Sequence, residues 1–390
     1  MKKRLLILYT SAGAGHIRAA EALVQAAHNS HPEIEVLSRD ALDLMPALVR
    51  QYYGASYLVA VNRAPELWGY LYDYTDRTPA NSRSAKILKF FDRLNSRKLL
   101  ALVSDFGPDA IICTHFLPAN VLQSAAQTGD AKGPGFLRGL LPGRKGVKLP
   151  PVSMVLTDYD VHSYCVHERT SAYFVPSDEV RHQLQARRVP ADRIHVTGIP
   201  VLPIFEELSP VASREKRPRA RRPGAGVRSD AALFSPARAR VRDGLGIGRD
   251  ENVVLLLSGG FGVGNVNRTL ESLLELDAEF RILAVAGKNQ ELRAGLEKTA
   301  ARRPGRVTVF GFVQNMHELM AAADLSITKS GGLTVSESLA LGLPMIVFAP
   351  IPGQEVANCN YLLENGAALL AKDVSVLAFK REKLLRSKET

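Results

Sequence analysis

The stretch that decides the fold is "TKSGGLTVSESLALGLPMIVFAPIPGQE", Thr328 to Glu355. A short apolar run leads into two adjacent glycines, a helical pattern follows, and a second apolar run closes on Pro-Gly-Gln-Glu. Strand, glycine turn and helix in that order describe one unit of a parallel α/β sheet. Glycines at the helix start let backbone N–H groups approach an anion, and the helix dipole favours negative charge there. The same rhythm recurs at Leu5–Tyr9, Ala110–Cys113, Val152–Leu156, Tyr173–Val175, Val253–Leu257, Ile282–Val285, Val307–Phe310, Leu325–Ile327 and Met345–Phe348. These runs alternate with helical patterns, which predicts an α/β architecture with parallel sheets throughout.

At 390 residues the chain is long enough for two core-bearing domains. The rhythm breaks once, between Ser209 and Arg242, where "REKRPRARRPGAGVRSD" is dominated by Arg, Pro and Gly and carries too little apolar surface to order itself. This places an N-terminal domain over 1–208, a basic, disordered linker over 209–242 and a C-terminal domain over 243–390. From Val211 to Arg242, ten Lys or Arg stand against Glu215 and Asp230, which leaves +8 of the chain's net +11 in the linker. Such charge fits a solvated loop or adhesion to an anionic lipid surface. Nucleic acid is not an expected partner, because no aromatic residues interleave with the arginines. A second excursion rich in Gly, Lys, Arg and Pro spans Gly129 to Pro150.

No window approaches the roughly eighteen uncharged apolar residues of a membrane span. Met1-Lys2-Lys3-Arg4 followed by Leu5–Tyr9 is too short in its apolar part for a signal peptide, so the segment reads as a first strand and the protein as cytoplasmic. Cys113, Cys165 and Cys359 match no zinc or disulfide spacing and are expected to be free thiols.

Several segments could carry chemistry. In "YTSAGAGHIRAAEAL", Tyr9 to Leu23, a strand gives way to Gly13, Gly15 and His16, and open α/β sheets bind ligands at such places. The segment is neither a dinucleotide fingerprint, since Arg18 stands where a third small residue belongs, nor a P-loop, since no Gly-Lys-Ser/Thr follows. The helix dipole disfavours imidazolium at a helix start, so His16 is expected to be neutral and able to serve as a general base; the alternative is a histidine that only packs or caps. "LLLSGGFGVGN", Leu255 to Asn265, presents Gly260 and Gly262 after a strand, where freed amides can approach phosphate. Ser330, Gly331, Gly332 and Thr334 surround a helix start suited to a pyrophosphate, and Glu337, one turn on, can accept hydrogen bonds from a ribose diol; a Thr334–Glu337 capping box is the alternative. Phe312 and Val313 in "VFGFVQNM" can flank a base, and Gln354, Glu355 and Asn358 offer groups that recognise sugar hydroxyls.

In "TDYDVHSYCVH", Thr157 to His167, Asp158 follows a strand directly and reads as a site carboxylate with His162 as its neighbour. Asp158-Tyr159-Asp160 also spells a metal-binding Asp-x-Asp, a match too short to weigh much, and no metal site is expected. "PELWGYLYDYTDR", Pro65 to Arg77, concentrates Trp68, Tyr70 and Tyr72, with Tyr74, as residues for an acceptor or membrane interface. Tyrosines at every second position do not share one helix face, so a split between core and surface is the alternative.

The segments "GAGH", "TDYDVH", "VTGIPV", "GFVQNM", "KSGGLTVSESLALGLPMIV" and "IPGQEVANCNYLLENGA" occur in an order that resembles the monogalactosyldiacylglycerol synthase and processive diacylglycerol glucosyltransferase group. That group is related to the peptidoglycan lipid-intermediate N-acetylglucosaminyltransferase. The resemblance runs from about Leu5 to Ala371. It implies a GT-B fold, two Rossmann-like domains facing across a cleft, and inverting transfer from UDP-galactose or UDP-glucose to diacylglycerol at a membrane surface; with the N-terminal segment and the linker charge, a cytoplasmic protein held peripherally at an anionic membrane is expected, without metal or cofactor. It further implies His16 as base, Phe312 and Val313 on uracil, Gly331, Gly332 and Thr334 on phosphates, Glu337 on ribose, and Gln354 and Glu355 on the sugar. Ala12 and Ala14 stand where the group has more glycine, and the basic linker is longer than the group needs. After "REKLLRSKET", Arg381 to Thr390, the family's crossover helix is expected to be short or missing. The alternatives are a polyprenyl-linked or other glycan acceptor, and a UDP-sugar-binding regulator without turnover.

Overall fold

The computed structural model describes residues 2–11, 13–46, 50, 65–77, 97–126, 149–209, 236–258, 266–276, 279–373, 375–377 and 379–380. The chain divides into two compact units, 1–202 with 352–354, and 203–351 with 355–390.

The first unit holds β1 (Arg4–Tyr9), α1 (Ala14–Ser30), β2 (Glu35–Asp40), α2 (Pro65–Arg77), α3 (Arg97–Phe106), β3 (Ala110–Cys113) and α4 (Phe116–Ala126), followed by β4 (Val152–Val155), β5 (Ala172–Val175), α5 (Asp178–Ala186) and β6 (Ile194–Val196). Its six strands are all parallel, in the order β2-β1-β3-β4-β5-β6. Leu6 and Leu8 of β1, Ile111 of β3, Met154 of β4 and Tyr173 of β5 are buried in one core with Leu99, Val103, Val121 and Leu122 from the covering helices. Leu8 pairs with Cys113 and Cys113 with Met154, so β1, β3 and β4 end in register and the residues that follow them emerge side by side.

The second unit holds α6 (Ile204–Leu208), α7 (Pro236–Gly244), β7 (Val253–Leu257), α8 (Val266–Leu274), β8 (Arg281–Val285), α9 (Gln290–Ala300) and β9 (Val307–Phe310), then α10 (Met316–Ala322), β10 (Leu325–Thr328), α11 (Gly332–Leu341), β11 (Met345–Phe348), α12 (Gln354–Glu364) and β12 (Ala368–Ala371). The sheet is again six-stranded and parallel, in the order β12-β11-β10-β7-β8-β9. Val253 to Leu257 is buried along its whole length, the continuous apolar strand expected where helices cover both faces.

In each sheet the chain order reverses once, between β1 and β3 in the first and between β7 and β10 in the second. The crevice outside the strand ends at such a reversal is where open α/β sheets take their ligands. His16 follows β1, Thr114 follows β3, and the Ser330–Gly332 helix start follows β10.

The expected linker needs one correction. Residues 236–242 belong to α7, which packs on the second unit, while 210–235 lie outside the described residues. Asp324 orders that helix: its carboxylate accepts from Arg238 Nη2 at 2.5 Å, from Arg242 Nη1 at 3.3 Å and from the Val253 amide at 2.8 Å. Arg242 is almost fully buried and also donates to the carbonyls of Ala322, Gly248 and Glu251. Two of the ten basic residues counted there are thus internal struts, unavailable to an anionic surface.

Candidate functional site

Three polar segments converge at the strand ends of the first sheet. Gly13 leads into α1, whose first turn carries the His16 ring toward β3 and β4. His16 Nδ1 lies 2.7 Å from the Thr114 carbonyl oxygen and 3.2 Å from Thr157 Oγ1. A carbonyl oxygen only accepts, so the shorter bond requires Nδ1 to carry the proton, and the neutral ring then has its lone pair on Nε2. Nε2 has no hydrogen-bond partner among the described residues. The Thr114 hydroxyl donates back to the His16 carbonyl at 3.0 Å, tying the two segments twice. Burial pulls the His16 pKa below its ordinary value, while the Asp158 carboxylate and the Thr114 carbonyl oppose that shift. The result is a ring kept neutral near pH 7, beside a carboxylate that favours the protonated form once it arises.

Asp158 is half-buried in the loop that follows β4, after Leu156 and Thr157. The contacts of His162, expected as its neighbour, go elsewhere. Its Nδ1 accepts from the Tyr164 amide at 3.2 Å and starts the 3-10 turn Ser163–Cys165, while its Nε2 lies 3.3 Å from the Tyr72 carbonyl and 3.2 Å from Thr75 Oγ1. Together with Asp76, which accepts from the Ser163 amide at 2.6 Å and pairs with Arg187 at 3.0 Å, it docks α2 onto the unit. Among the described residues no group of three or more His, Cys, Asp or Glu gathers that could hold a metal ion.

The aromatic segment divides by helix face. Tyr72 packs against His162, ring centroids 4.6 Å apart, and burial together with Asp158 and Asp160 pushes its phenol pKa up. Leu67, Tyr70 and Tyr74 recur at helical spacing and are 57%, 67% and 59% exposed, with the two tyrosine rings stacked. The outward face is therefore Leu67, Tyr70 and Tyr74, with Tyr72 turned inward; Trp68 lies in α2 with its side chain outside what is described.

In the second unit Gly331 is the N-cap of α11, at φ −64° and ψ 134°, with no side-chain cap. That backbone is open to any residue, and a Cβ at Gly331 would meet only Glu355 Oε1, at 4.0 Å. The fold itself does not demand glycine here, and the bare backbone at the helix start is left uncovered by any side chain of its own. The capping-box alternative fails, because Thr334 sits three residues inside the helix instead of at its cap. At the other end Gly342, at φ 63°, closes the helix in the left-handed conformation glycine adopts freely.

Two expected donor contacts turn out to be internal. Ser330 is fully buried and its hydroxyl donates to the Glu355 carbonyl at 2.5 Å; Asn358 is fully buried and its Nδ2 donates to the Ser330 carbonyl at 2.9 Å. Both shape the loop beneath the glycines. Glu355 Oε2 accepts from the Ile351 amide at 2.7 Å and thereby orders the turn before α12, which Gln354 begins. Thr334 and Gln354 are half-buried, Glu337 is largely buried on α11, and Val313 is half-buried beside the exposed Phe312. Gly260 and Gly262 lie outside the described residues.

Besides Thr114, further residues at these sites did not stand out in the sequence. Lys329, between β10 and the glycines, is half-buried; burial draws its pKa down and Glu355 opposes that. Lys288 holds its ammonium 5.1 Å from the centroid of the Phe312 ring. His115 follows Thr114 and sets its ring edge-on to His16. Polar residues immediately after the apolar runs "AIIC" and "LSIT" were the available signal.

Residues 16–132 and 138–201 match the family model for monogalactosyldiacylglycerol (MGDG) synthase, and residues 253–387 match that for the glycosyltransferase family 28 C-terminal domain. The chain is an MGDG synthase-type domain followed by a glycosyltransferase family 28 C-terminal domain. It is 28% identical over 371 residues to a processive diacylglycerol beta-glucosyltransferase of Bacillus pumilus, covering 94% of this chain and 83% of that one. It is 27% identical over 372 residues to the protein of the same name from Bacillus subtilis, at the same coverage. Among solved structures, MurG of Acinetobacter baumannii aligns at a TM-score of 0.57 and 14% identity over 98% of this chain and 91% of its own. A UDP-GlcNAc 2-epimerase of Neisseria meningitidis aligns at 0.53 and 14% identity, covering 99% of this chain and 92% of its own. The architecture is thus the two-domain α/β GT-B fold, with His16 in the MGDG synthase-type domain and Gly331 in the family 28 domain.

Proposed function

We propose that the protein is an inverting glycosyltransferase that moves a hexose, galactose or glucose, from a UDP-sugar to the hydroxyl of diacylglycerol at a membrane surface. The observation that carries this reading is the state of His16, neutral, with Nδ1–H committed to Thr114 and its Nε2 lone pair unclaimed. The named activity of the Bacillus relatives supports diacylglycerol as acceptor.

In the reaction the acceptor hydroxyl gives its proton to His16 Nε2 while its oxygen bonds to the anomeric carbon. The bond from that carbon to the β-phosphate oxygen breaks, and UDP leaves with the electron pair. Asp158 favours the imidazolium so formed. The growing negative charge on UDP suits the free N–H groups and dipole of the α11 start at Gly331, Gly332 and Thr334, with Lys329 adding a positive charge beside them. Phe312, with Val313, is suited to a base, Glu337 to the ribose diol, and Gln354 and Glu355 to hexose hydroxyls. The outward face of α2 suits the headgroup boundary, and the basic run within 211–235 suits an anionic surface. No helix among the described residues is long and apolar enough to cross a membrane.

The test supplies UDP-glucose and UDP-galactose in separate reactions with diacylglycerol liposomes and reads the lipid product and its anomeric configuration. A β-linked glycolipid from one donor supports the reading and assigns the sugar. Donor turnover only with a different acceptor, or an α-linked product, would overturn it. Deleting 211–230 is expected to weaken binding to anionic liposomes, and unchanged binding would remove that role from the basic run.

A further inference from the structure

His115 is a polar group beside His16 that the proposed reaction does not use. It is only 7% exposed, and its Nδ1 accepts from the Leu117 amide at 3.0 Å at the start of α4. An acceptor nitrogen carries no proton, so the ring is the Nε2–H tautomer and its one lone pair is occupied. Burial and the neighbouring His16 hold its pKa well below the usual histidine value. His115 therefore neither competes for the acceptor's proton nor adds a second positive charge beside His16.

Its geometry suits another task. The ring centroids of His115 and His16 are 4.5 Å apart with planes at 86°, and His115 also stacks on Phe116 at 4.3 Å. The Thr114 carbonyl and the Thr157 hydroxyl both hold the same ring atom, Nδ1, and contacts at one nitrogen leave the ring free to pivot about it. An edge-to-face neighbour, itself clamped by Phe116 and the α4 amide, removes that freedom. We propose that His115 is the positioning residue for His16: Thr114 sets the tautomer, and the His115 ring sets the plane and hence the direction of the Nε2 lone pair. This rests on the reading of His16 as base. The charged and titratable groups around His16 are Asp158 after β4 and His115 itself.

Two substitutions separate the ring from its helix-capping role. His115→Asn keeps a side-chain acceptor for the Leu117 amide, Asn being favoured at helix starts, and removes the ring. His115→Phe keeps a ring and removes the acceptor. For His115→Asn, kcat is expected to fall on the order of 10- to 100-fold, as misplacement of a reacting group does, with KM for UDP-sugar and affinity for UDP unchanged. His115→Phe should lose less kcat than His115→Asn even where it loses more thermal stability. Imidazole nitrogen NMR of the unliganded protein should show His16 as a single Nδ1–H tautomer in the parent and exchange-broadened in His115→Asn. Wild-type kcat and an unchanged His16 spectrum in His115→Asn would overturn the proposal, as would losses of kcat in both variants that merely track melting temperature. Retained activity in a parallel His16→Ala variant would instead sink the base assignment, and the NMR arm would still decide whether His115 orders the ring.

Discussion

The two strand-order reversals of this molecule occupy equivalent places in similar sheets and are built from different materials. The first is a side-chain site, in which His16, Thr114, His115, Thr157 and Asp158 come from the ends of three adjacent strands. The second is a backbone site, in which glycines offer bare amides and the polar side chains beneath them, Ser330 and Asn358, are turned inward to hold the loop. A proton must be taken by a group with a tuned pKa, which only side chains supply, whereas a diphosphate is held well by N–H groups and a helix dipole. On the proposed reading, equivalent crevices in the two sheets are specialised for different chemistry.

The contrast can be broken most sharply at His16. His16→Ala is expected to lower kcat by about 10²- to 10⁴-fold, the usual contribution of a general base, with UDP affinity unchanged by isothermal titration. A comparable loss of UDP affinity would mean that the side-chain site also holds the donor. Next in size, Asn358→Ala strips the buried Ser330 carbonyl of a hydrogen bond and should cost about 1–3 kcal/mol of unfolding free energy in denaturant titration. Unchanged stability would show that the loop does not depend on this strut.

A smaller effect sharpens the electrostatics. Burial already lowers the His16 pKa, so the acid limb of the kcat/KM–pH profile should lie below the ordinary histidine value of about 6.5. Asp158 raises that pKa; removing its charge in Asp158→Asn should lower it further and move the limb to more acid pH. A shift toward higher pH, or none, would remove Asp158 as the group that supports the imidazolium.

Much of the frame was legible because interior strands are buried on both faces and spell continuous apolar runs. All nine strands expected from such runs are present. The three that were missed, β2, β6 and β12, are edge strands. "EVLSRD" and "IHV" are partly open to solvent and mix polar with apolar residues, which hides them from a search for apolar runs. The helix through Arg238 and Arg242 was hidden in the opposite way: its charge looked like linker, because the partner, Asp324, stands 82 residues beyond Arg242. At the sites, His16 and the glycine helix start announced themselves locally. Thr114, 98 residues from His16, did not, since only the pairing of β1 with β3 brings the two together.

The division of labour itself is tested most directly by measuring kcat and UDP affinity for His16→Ala and Gly331→Ala side by side. The Gly331 position has room for a methyl group, so Gly331→Ala should keep its melting temperature yet lose UDP affinity tenfold or more, about 1.4 kcal/mol, by obstructing the approach of phosphate to the backbone. The predicted result is a crossed pattern, with kcat lost and affinity kept in the first variant, and affinity lost in the second. Both variants losing both quantities in equal proportion, or Gly331→Ala binding UDP as the parent does, would contradict it.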